Sequence, residues 1–276
     1  MVRDVTKAND WESFDNEWLA LREPVDHEAR SETLLPIMAA AARTGGWSRI
    51  VDLASGTGSN LRYLAPHLPK PMRWTLIDHD EALLRCVKKP DRVQSVVSLC
   101  GNIATDGIAS VADADLVTGA ALLDLVSESW LRTLAEACRS SACGVLFALT
   151  YNGCIEWDSL DCGDAMVQDA VNRHQGRDKG LGPALGPLAG DVAQACFREI
   201  GYRVWCRPSP WQLGNEHRVL ASALVDGWEQ AATEQLPEQE ETIAAWAGRR
   251  RHDLTRHDVG LTVGHVDLLA LPTELI

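Results

Sequence analysis

Residues 50–61 constrain the fold of this chain more than any other segment. They read I-V-D-L-A-S-G-T-G-S-N-L, which is an apolar run ending in an acid, two glycines spaced by one residue, and an amphipathic continuation. This order is typical of a buried parallel strand that turns sharply into a helix, because glycine lets the backbone turn tightly and approach a ligand without a Cβ. The N–H groups that begin the helix are free to meet an anionic group. The segment alone leaves open a nucleotide site or a glycine turn that binds nothing.

From residue 47 onwards, short apolar segments alternate with amphipathic ones, which predicts a parallel sheet with helices on both faces. Residues 1–45 are predicted to be helical. After the fifth strand, residues 152–175 begin as a polar loop and become a helix, a glycine-rich loop follows at 176–190, and Asp191 caps the next helix. Two more helices, at about residues 215–234 and 238–252, precede the last strand. The predicted strands are 49–53, 73–77, 93–99, 115–118, 144–150, 202–206 and 260–271.

Composition and charge exclude several classes of protein. The 276 residues are 46% hydrophobic and 24% charged, as is usual for a globular protein. No apolar run approaches the roughly 18–20 residues of a membrane span, and the first residues have no signal-peptide core, so we expect a cytoplasmic protein with no membrane partner. A formal net charge of −13 disfavours nucleic acid as a partner.

Two local features of the sequence predict structural rather than chemical roles. The triplet Arg249, Arg250 and Arg251 is interpreted as a solvated helix C-terminus, where cations interact favourably with the helix dipole. The eight cysteines include no C-x-x-C pair. They therefore predict neither a disulfide framework nor a metal site, although Cys154 and Cys162 are expected in an accessible loop.

Four polar features follow the predicted strands, at the edge where open α/β sheets bind ligands. Asp52 and the turn S-G-T-G follow the first strand, and Asp78 ends the second strand about twenty residues later. Asn102 follows the third strand, and T-G-A-A-L-L-D follows the fourth. A carboxylate at the position of Asp78 can accept hydrogen bonds from both hydroxyls of a ribose. Together the four features predict a nucleoside-type ligand at this edge.

With these motifs, residues 47–150 resemble the class I S-adenosylmethionine-dependent methyltransferases. That family usually has D-x-G-x-G-x-G after its first strand, whereas this chain has D-L-A-S-G-T-G, so Ala54 replaces the first glycine. The resemblance implies a Rossmann-like methyltransferase fold, with a doubly wound, mostly parallel seven-stranded sheet in the order 3-2-1-4-5-7-6 and an α-helical cap. We expect one domain over 1–276: a helical cap (1–46), a cofactor-binding core (47–150), and acceptor-side insertions with the last strands (151–276).

The resemblance also implies S-adenosylmethionine as cofactor. Asp52 and the glycine turn would surround its methionine moiety, Asp78 would hold the ribose, and His79 would lie beside the adenine. Asn102 stands where the family often has an aspartate facing the adenine amino group, and its side-chain oxygen is also an acceptor. The cofactor-binding residues implied in this way are Asp52, Ala54, Ser55, Gly56, Gly58, Asn60, Asp78, His79, Asn102, Ile103, Gly119, Ala120 and Leu122.

A nicotinamide dinucleotide site is the competing interpretation of the glycine turn. Its fingerprint, G-x-G-x-x-G, needs a small residue three positions after the second glycine, so that the helix packs close to a pyrophosphate. Leu61 occupies that position. A methyl donor has no pyrophosphate, so the residue at position 61 favours the methyltransferase interpretation.

The methyl acceptor is expected to be a small molecule, because the chain is acidic and lacks an N-P-P-Y-like motif after its fourth strand. Acceptor-binding residues in such enzymes generally come from the N-terminal helices and the later insertions. Tryptophans there are also common core anchors, and Arg22 is equally suited to pair with Glu23 or Asp26. The candidate acceptor-binding residues are Trp18, Arg22, Arg177, Lys179 and Trp211, and Trp11 lies in the same segment as Trp18.

Candidates for catalysis lie around the glycine-rich loop and after the fifth strand. His174 is a candidate base on a lid in which Arg177 or Lys179 would meet an anionic group of the acceptor. The same segment is equally compatible with a mobile surface loop. Tyr151 and Glu156 are the other two catalytic candidates, and Glu156 is equally suited to an exposed loop.

The sequence therefore predicts methyl transfer from S-adenosylmethionine to a small-molecule acceptor by a monomer or homodimer. Two alternatives stay open. One is a catalytically silent domain that binds S-adenosylmethionine or S-adenosylhomocysteine, and the other is a methyltransferase that acts on RNA or protein.

Overall fold

The computed structural model describes residues 16–256 and 259–276. Trp11, which the sequence placed among the acceptor-side candidates, lies outside these residues. The helices are α1 (Asn16–Ala29), α2 (Leu35–Thr44), α3 (Ser59–Leu64), α4 (Glu81–Arg85), α5 (Ile108–Ser110), α6 (Glu128–Ser141), α7 (Asp164–Gln175), α8 (Ala189–Glu199), α9 (Arg218–Gln235) and α10 (Glu240–Arg256). The strands are β1 (Arg49–Leu53), β2 (Met72–Asp78), β3 (Val93–Cys100), β4 (Leu116–Ala120), β5 (Gly144–Trp157), β6 (Arg203–Pro208), β7 (Trp211–Leu213) and β8 (Leu261–Leu271).

The strands form one sheet in the order β3-β2-β1-β4-β5-β8-β6, and β7 pairs with β8 beside this path. Strands β1 to β5 pair in parallel, whereas β8 runs antiparallel to β5, β6 and β7. The predicted order is confirmed, with β8 as the last strand of the predicted seven. The short strand β7 is an eighth that the sequence did not predict, because its three residues are too few to show a period.

The segment after β5 differs from its prediction as a polar loop. Strand β5 continues to Trp157 and pairs with β8 as far as Leu261, with irregular register between Tyr151 and Ile155. Polar residues in this extension alternate with buried ones, which is the pattern of a strand with one covered face. Cys154 therefore lies in a strand, whereas Cys162 is exposed.

Three apolar clusters cover the sheet. Val51 and Phe147 pack with α6 and α8 on one face, while Ile50 and Leu146 pack with α2 and α3 on the other, since neighbouring strand residues point to opposite faces. A third cluster joins the extended end of β5 to α7, α9 and α10. Asp80 and Ser127 cap α4 and α6. Asp191, the predicted cap of the next helix, instead lies in the first turn of α8, which begins at Ala189.

The basic triplet on α10 is not a solvated helix end, contrary to the sequence interpretation. Arg250 is fully buried, lies over the ring of Trp157 at 4.3 Å, and its Nε donates to Asp164 at 3.0 Å. Arg249 and Arg251 pair with acids of neighbouring segments. The three cations therefore hold α10 against the rest of the fold.

Among the described residues, no helix is both long and apolar enough to cross a membrane.

Candidate functional site

A cavity lies at the carboxyl ends of β1, β2, β3 and β4, and helix α1 also lines it. Parallel strands end together at this edge, so their loops converge there. Its walls are Leu19, Arg22, Asp26, His27, Arg30, Asp52, Ala54, Ser55, Gly56, Thr57, Ser59, Asn60, Asp78, His79, Leu83, Gly101, Asn102, Ile103, Ala120, Ala121, Leu122, Leu125, Val126, Leu149 and Lys179. The sequence-predicted cofactor residues are thereby brought together, except Gly58 and Gly119.

The turn after β1 adopts a left-handed backbone at Ala54 and at Gly56, with φ of 52° at both positions. Ala54 therefore takes a left-handed conformation that glycine adopts readily and that is costly for a residue with a Cβ. Gly58 has φ of 80° and begins α3. It lies beside Val87 and Arg62 rather than at the cavity, so its role is to turn the chain.

Asp78, the last residue of β2, accepts a hydrogen bond from this turn. Its Oδ2 accepts a hydrogen bond from the amide of Gly56 at 2.7 Å, and its Oδ1 accepts one from the amide of Asp80 at 2.9 Å. His79 Nδ1 lies 3.3 Å from the same Oδ1. A carboxylate has about four lone-pair sites, so both oxygens of Asp78 retain acceptor capacity towards the cavity.

Asp52 is the most deeply buried acid of the site. Its side chain is fully buried, and burial raises its pKa to about 7, although the hydrogen bond from Asn60 and the charge of Arg30 lower it. Asn60 Nδ2 donates to Oδ1 at 2.8 Å. Oδ2 has no hydrogen-bond partner among the described residues. A cavity-lining carboxylate with an unpartnered oxygen suits a ligand that brings a cation or a donor.

Asn102 lies after β3, where its side-chain oxygen accepts a hydrogen bond from the amide of Ala104 at 2.7 Å. This bond caps the helical turn that carries Ile103 and leaves one further lone pair on the oxygen. At the end of β4, Ala120 and Leu122 face the cavity, whereas a Cβ on Gly119 would lie 3.0 Å from the carbonyl oxygen of Leu53. The glycine therefore permits close strand packing.

Two of the five acceptor-binding candidates, Arg22 and Lys179, line the cavity. Arg22 forms a bidentate pair with Asp26, at 2.9 and 3.1 Å. Trp211 contacts both members of this pair. The guanidinium of Arg22 lies 4.9 Å from the ring of Trp211, and Nε1 of Trp211 donates a hydrogen bond to Asp26. Trp18 packs with the third apolar cluster and is not part of the wall.

The catalytic candidates of the sequence analysis lie outside the cavity wall. His174 Nε2 is 3.0 Å from Glu234 on α9, and Arg177 donates to the same carboxylate at 3.1 Å. Tyr151 donates to Asn172 at 2.8 Å, and burial raises its pKa above the ordinary value. Glu156 projects from the exposed side of the β5 extension. The structure brings none of these three to the cavity, although the loop after His174 does bring Lys179 there.

Most of the residues that α1 and Arg30 contribute to the cavity wall were not predicted from the sequence. Leu19, Arg22, Asp26 and Arg30 are spaced by three or four positions, so one stripe of this segment faces the cavity. His27 also lines it, with Nε2 3.0 Å from Ser59 Oγ, and burial lowers its pKa. The helical spacing of these charged residues was the available signal. Among the described residues, no group of three histidine, cysteine or acidic side chains could hold a metal ion.

Comparison with known proteins gives similarity in structure only. No family model matches the chain, and no curated protein sequence matches it. A cyclopropane-fatty-acyl-phospholipid synthase-like protein from Lactobacillus casei is 15% identical, with 91% of this chain and 99% of that protein covered and a TM-score of 0.50.

Two further similar structures are S-adenosylmethionine-dependent methyltransferases in complex with S-adenosyl-L-homocysteine. The protein from Thiobacillus denitrificans is 18% identical, with 94% of this chain and 99% of that chain covered and a TM-score of 0.46. The protein from Geobacter sulfurreducens is 16% identical, with coverages of 94% and 98% and a TM-score of 0.44. With the observed strand order, the predicted fold is confirmed: the chain has a Rossmann-like methyltransferase fold.

Proposed function

We propose that this protein transfers a methyl group from S-adenosylmethionine to a small-molecule acceptor. The observation that carries the proposal is the convergence of the glycine turn, Asp52, Asp78 and Asn102 on one cavity. Residues from three neighbouring strand ends, those of β1, β2 and β3, meet there in the order that the methyltransferase resemblance implies. Their chemistry matches the parts of that cofactor.

The residues of the cavity fit S-adenosylmethionine or its product. Asp52 offers a buried, unpartnered oxygen to the amino group of a methionine moiety. Asp78 offers lone pairs to ribose hydroxyls, and Asn102 offers one to an adenine amino group. Asp52 and Asp78 also match the positive charge that a sulfonium and an ammonium group carry. A dinucleotide fits less well, because the third residue of α3 is Leu61, whose bulky side chain is fully buried against the sheet.

The remaining wall supports a small, largely apolar acceptor. Leu125, Val126 and Leu149 add apolar surface to the wall, and Arg22 and Lys179 add charged groups. Helix α1 contributes Leu19, Arg22, Asp26 and His27 to the same wall. The net charge of −13 disfavours RNA as the acceptor. The same proposal includes action in the cytoplasm as a monomer or homodimer.

Catalysis in this site depends on alignment and on exclusion of water. When bound, S-adenosylmethionine supplies a methyl group that its sulfonium already activates. The protein then needs to hold the acceptor in line with the reacting bond, which the apolar wall and α1 are placed to do. His27 is a histidine of α1 that lines the cavity, and burial lowers its pKa, which favours the neutral imidazole. It is therefore available to accept a proton from an acceptor that carries one.

Turnover on a panel of small metabolites, with release of S-adenosylhomocysteine as the readout, tests the proposal. Release with one or more acceptors is the expected result. A protein that binds the cofactor tightly but releases no product with any acceptor would instead be a silent binding domain. Product release with RNA or protein only would assign a macromolecular substrate.

A further inference from the structure

Four buried polar side chains, those of Asp267, Arg30, Asn60 and Asp52, form a polar network that runs from the last strand to the cavity. Asp267 on β8 lies 3.3 Å from Nε of Arg30, the residue that follows α1. Arg30 Nη1 donates to Asn60 Oδ1 at 2.9 Å, and Asn60 Nδ2 donates to Asp52 Oδ1 at 2.8 Å. None of the four is more than 5% exposed. Desolvated polar chains of this kind couple their members strongly, because the low local dielectric strengthens each contact.

Asp267 and Arg30, at the end of the polar network farthest from Asp52, are held by further contacts. Asp267 accepts hydrogen bonds from the amide of Leu149 and from the amide of Ser31, both at 2.9 Å. The guanidinium of Arg30 lies over the ring of Tyr63 at 4.5 Å. Arg30 is therefore held by an acid on one side and an aromatic face on the other, and it presents Nη1 to Asn60 in one direction.

Arg30 sets the orientation of the Asn60 amide. A guanidinium only donates, so it binds the oxygen of Asn60 and leaves the amide nitrogen for acceptors. That nitrogen donates to Asp52 and to Thr118 Oγ1, the latter at 3.0 Å. One oxygen of Asp52 is thereby held by Asn60, and the other, Oδ2, stays available.

Arg30 also acts on the charge of Asp52. Burial and the neighbouring Asp78 raise the pKa of Asp52, whereas the charge of Arg30 and the bond from Asn60 lower it. These are the charged groups that face Asp52. Removing the cation would favour the protonated acid at neutral pH, and a protonated acid attracts an ammonium group weakly.

We propose that Arg30 is a positioning residue for donor binding: through Asn60 it orients Asp52 and keeps the carboxylate ionised for the amino group of the ligand. This inference rests on the proposed function. It assigns to Arg30, the residue that follows α1, a role in the affinity for the methyl donor. Its specific consequence is that Arg30 matters only for ligands that carry the methionine amino group.

The test is calorimetric titration of the full-length Arg30→Met variant with S-adenosylhomocysteine and with 5′-methylthioadenosine, which lacks the amino acid group. Methionine keeps an apolar stem beside Tyr63. We expect the Kd for S-adenosylhomocysteine to rise at least about tenfold, as for a lost hydrogen bond to a charged group, while that for 5′-methylthioadenosine stays unchanged. The midpoint of the pH dependence of binding should move to higher pH, and Arg30→Lys should restore part of this shift.

Glu23→Gln is the matched control. Glu23 on α1 accepts a hydrogen bond from Arg62 on α3 and belongs to a contact outside the polar network. The substitution should leave both affinities unchanged. In an Asp52→Asn background, Arg30→Met should cost no further affinity. If Arg30→Met does not unfold cooperatively, Asn60→Leu is the second variant. It interrupts the same polar network and leaves the contact between Arg30 and Asp267 in place. The same ligand selectivity is expected.

Equal weakening of both ligands, or an unchanged Kd for S-adenosylhomocysteine, would overturn the role of Arg30. Failure of the wild-type protein to bind either ligand would instead contradict the proposed function itself, so the two failures are distinguishable.

Discussion

The amide of Gly56 donates a hydrogen bond to Oδ2 of Asp78 at 2.7 Å, so the acid that ends β2 fixes the turn that follows β1. The two motifs that the sequence presents 22 residues apart form one unit. Any ligand group that binds Asp78 thus binds a carboxylate whose orientation the glycine turn already sets. Such preorganisation reduces the entropy lost on binding.

Replacing Asp78 by asparagine should weaken both the turn and the ligand site. Both carboxylate oxygens accept backbone N–H groups, so one of them would face an NH₂ group in the variant. We expect the free energy of unfolding to fall by about 1–3 kcal/mol, and the affinity for S-adenosylhomocysteine to fall at least about tenfold. Chemical denaturation and calorimetry measure the two effects. Wild-type affinity in Asp78→Asn, and in Asp78→Ala, would show that the ribose was assigned to the wrong residue.

Asp52→Asn should stabilise the fold in a pH-dependent way. The folded-state pKa of about 7 lies above the ordinary value of 3.8, so the folded protein holds a proton that the unfolded chain releases between these pH values. Wild-type stability therefore falls as pH rises through this window, and asparagine removes that loss. The difference between variant and wild-type unfolding free energies should be larger at pH 8 than at pH 5 by about 2–3 kcal/mol. Equal differences at the two pH values would show that Asp52 titrates normally.

Ala54→Gly should raise stability, because Ala54 adopts φ of 52°. Glycine reaches this conformation without a Cβ penalty, and part of the gain is offset by its greater freedom in the unfolded chain. We expect an increase of about 0.5–1 kcal/mol in the free energy of unfolding. Ala137→Gly, within α6, is the control and should lower stability by about 1 kcal/mol. A loss of stability in Ala54→Gly would mean that the methyl group packs favourably enough to offset the backbone strain.

Variants of Lys179 and of His174 test separately whether the cation and whether the imidazole of the predicted lid acts on the acceptor. Lys179 lines the cavity, whereas His174 contacts Glu234 on α9. We expect Lys179→Met to raise the KM for the acceptor at least about tenfold, as for a lost charge-assisted contact, and His174→Ala to retain wild-type turnover. Initial rates with an acceptor from the metabolite panel give both values. If His174→Ala abolishes turnover while the fold is intact, the loop must bring the imidazole to the acceptor.

The sequence was sufficient for the sheet order and for most of the cavity-lining residues at the strand ends. Short-range signals specify these residues, since the turn after Asp52 and the position of Asp78 follow from local geometry at strand ends. It was insufficient for the residues that α1 contributes to the cavity. Which face of α1 meets the cavity depends on long-range contacts such as the bond between Trp211 and Asp26, and these residues are 185 positions apart. The contact of His174 with Glu234 could not be predicted for the same reason, because the two residues are 60 positions apart.

Calorimetric titration of the wild-type protein with S-adenosylmethionine and S-adenosylhomocysteine measures whether the cavity binds a methyl donor. We predict saturable one-to-one binding of both ligands, with affinity that falls as pH drops below about 7 because Asp52 becomes protonated. No heat of binding for either ligand, with the protein shown to be folded by its cooperative unfolding, would contradict the account.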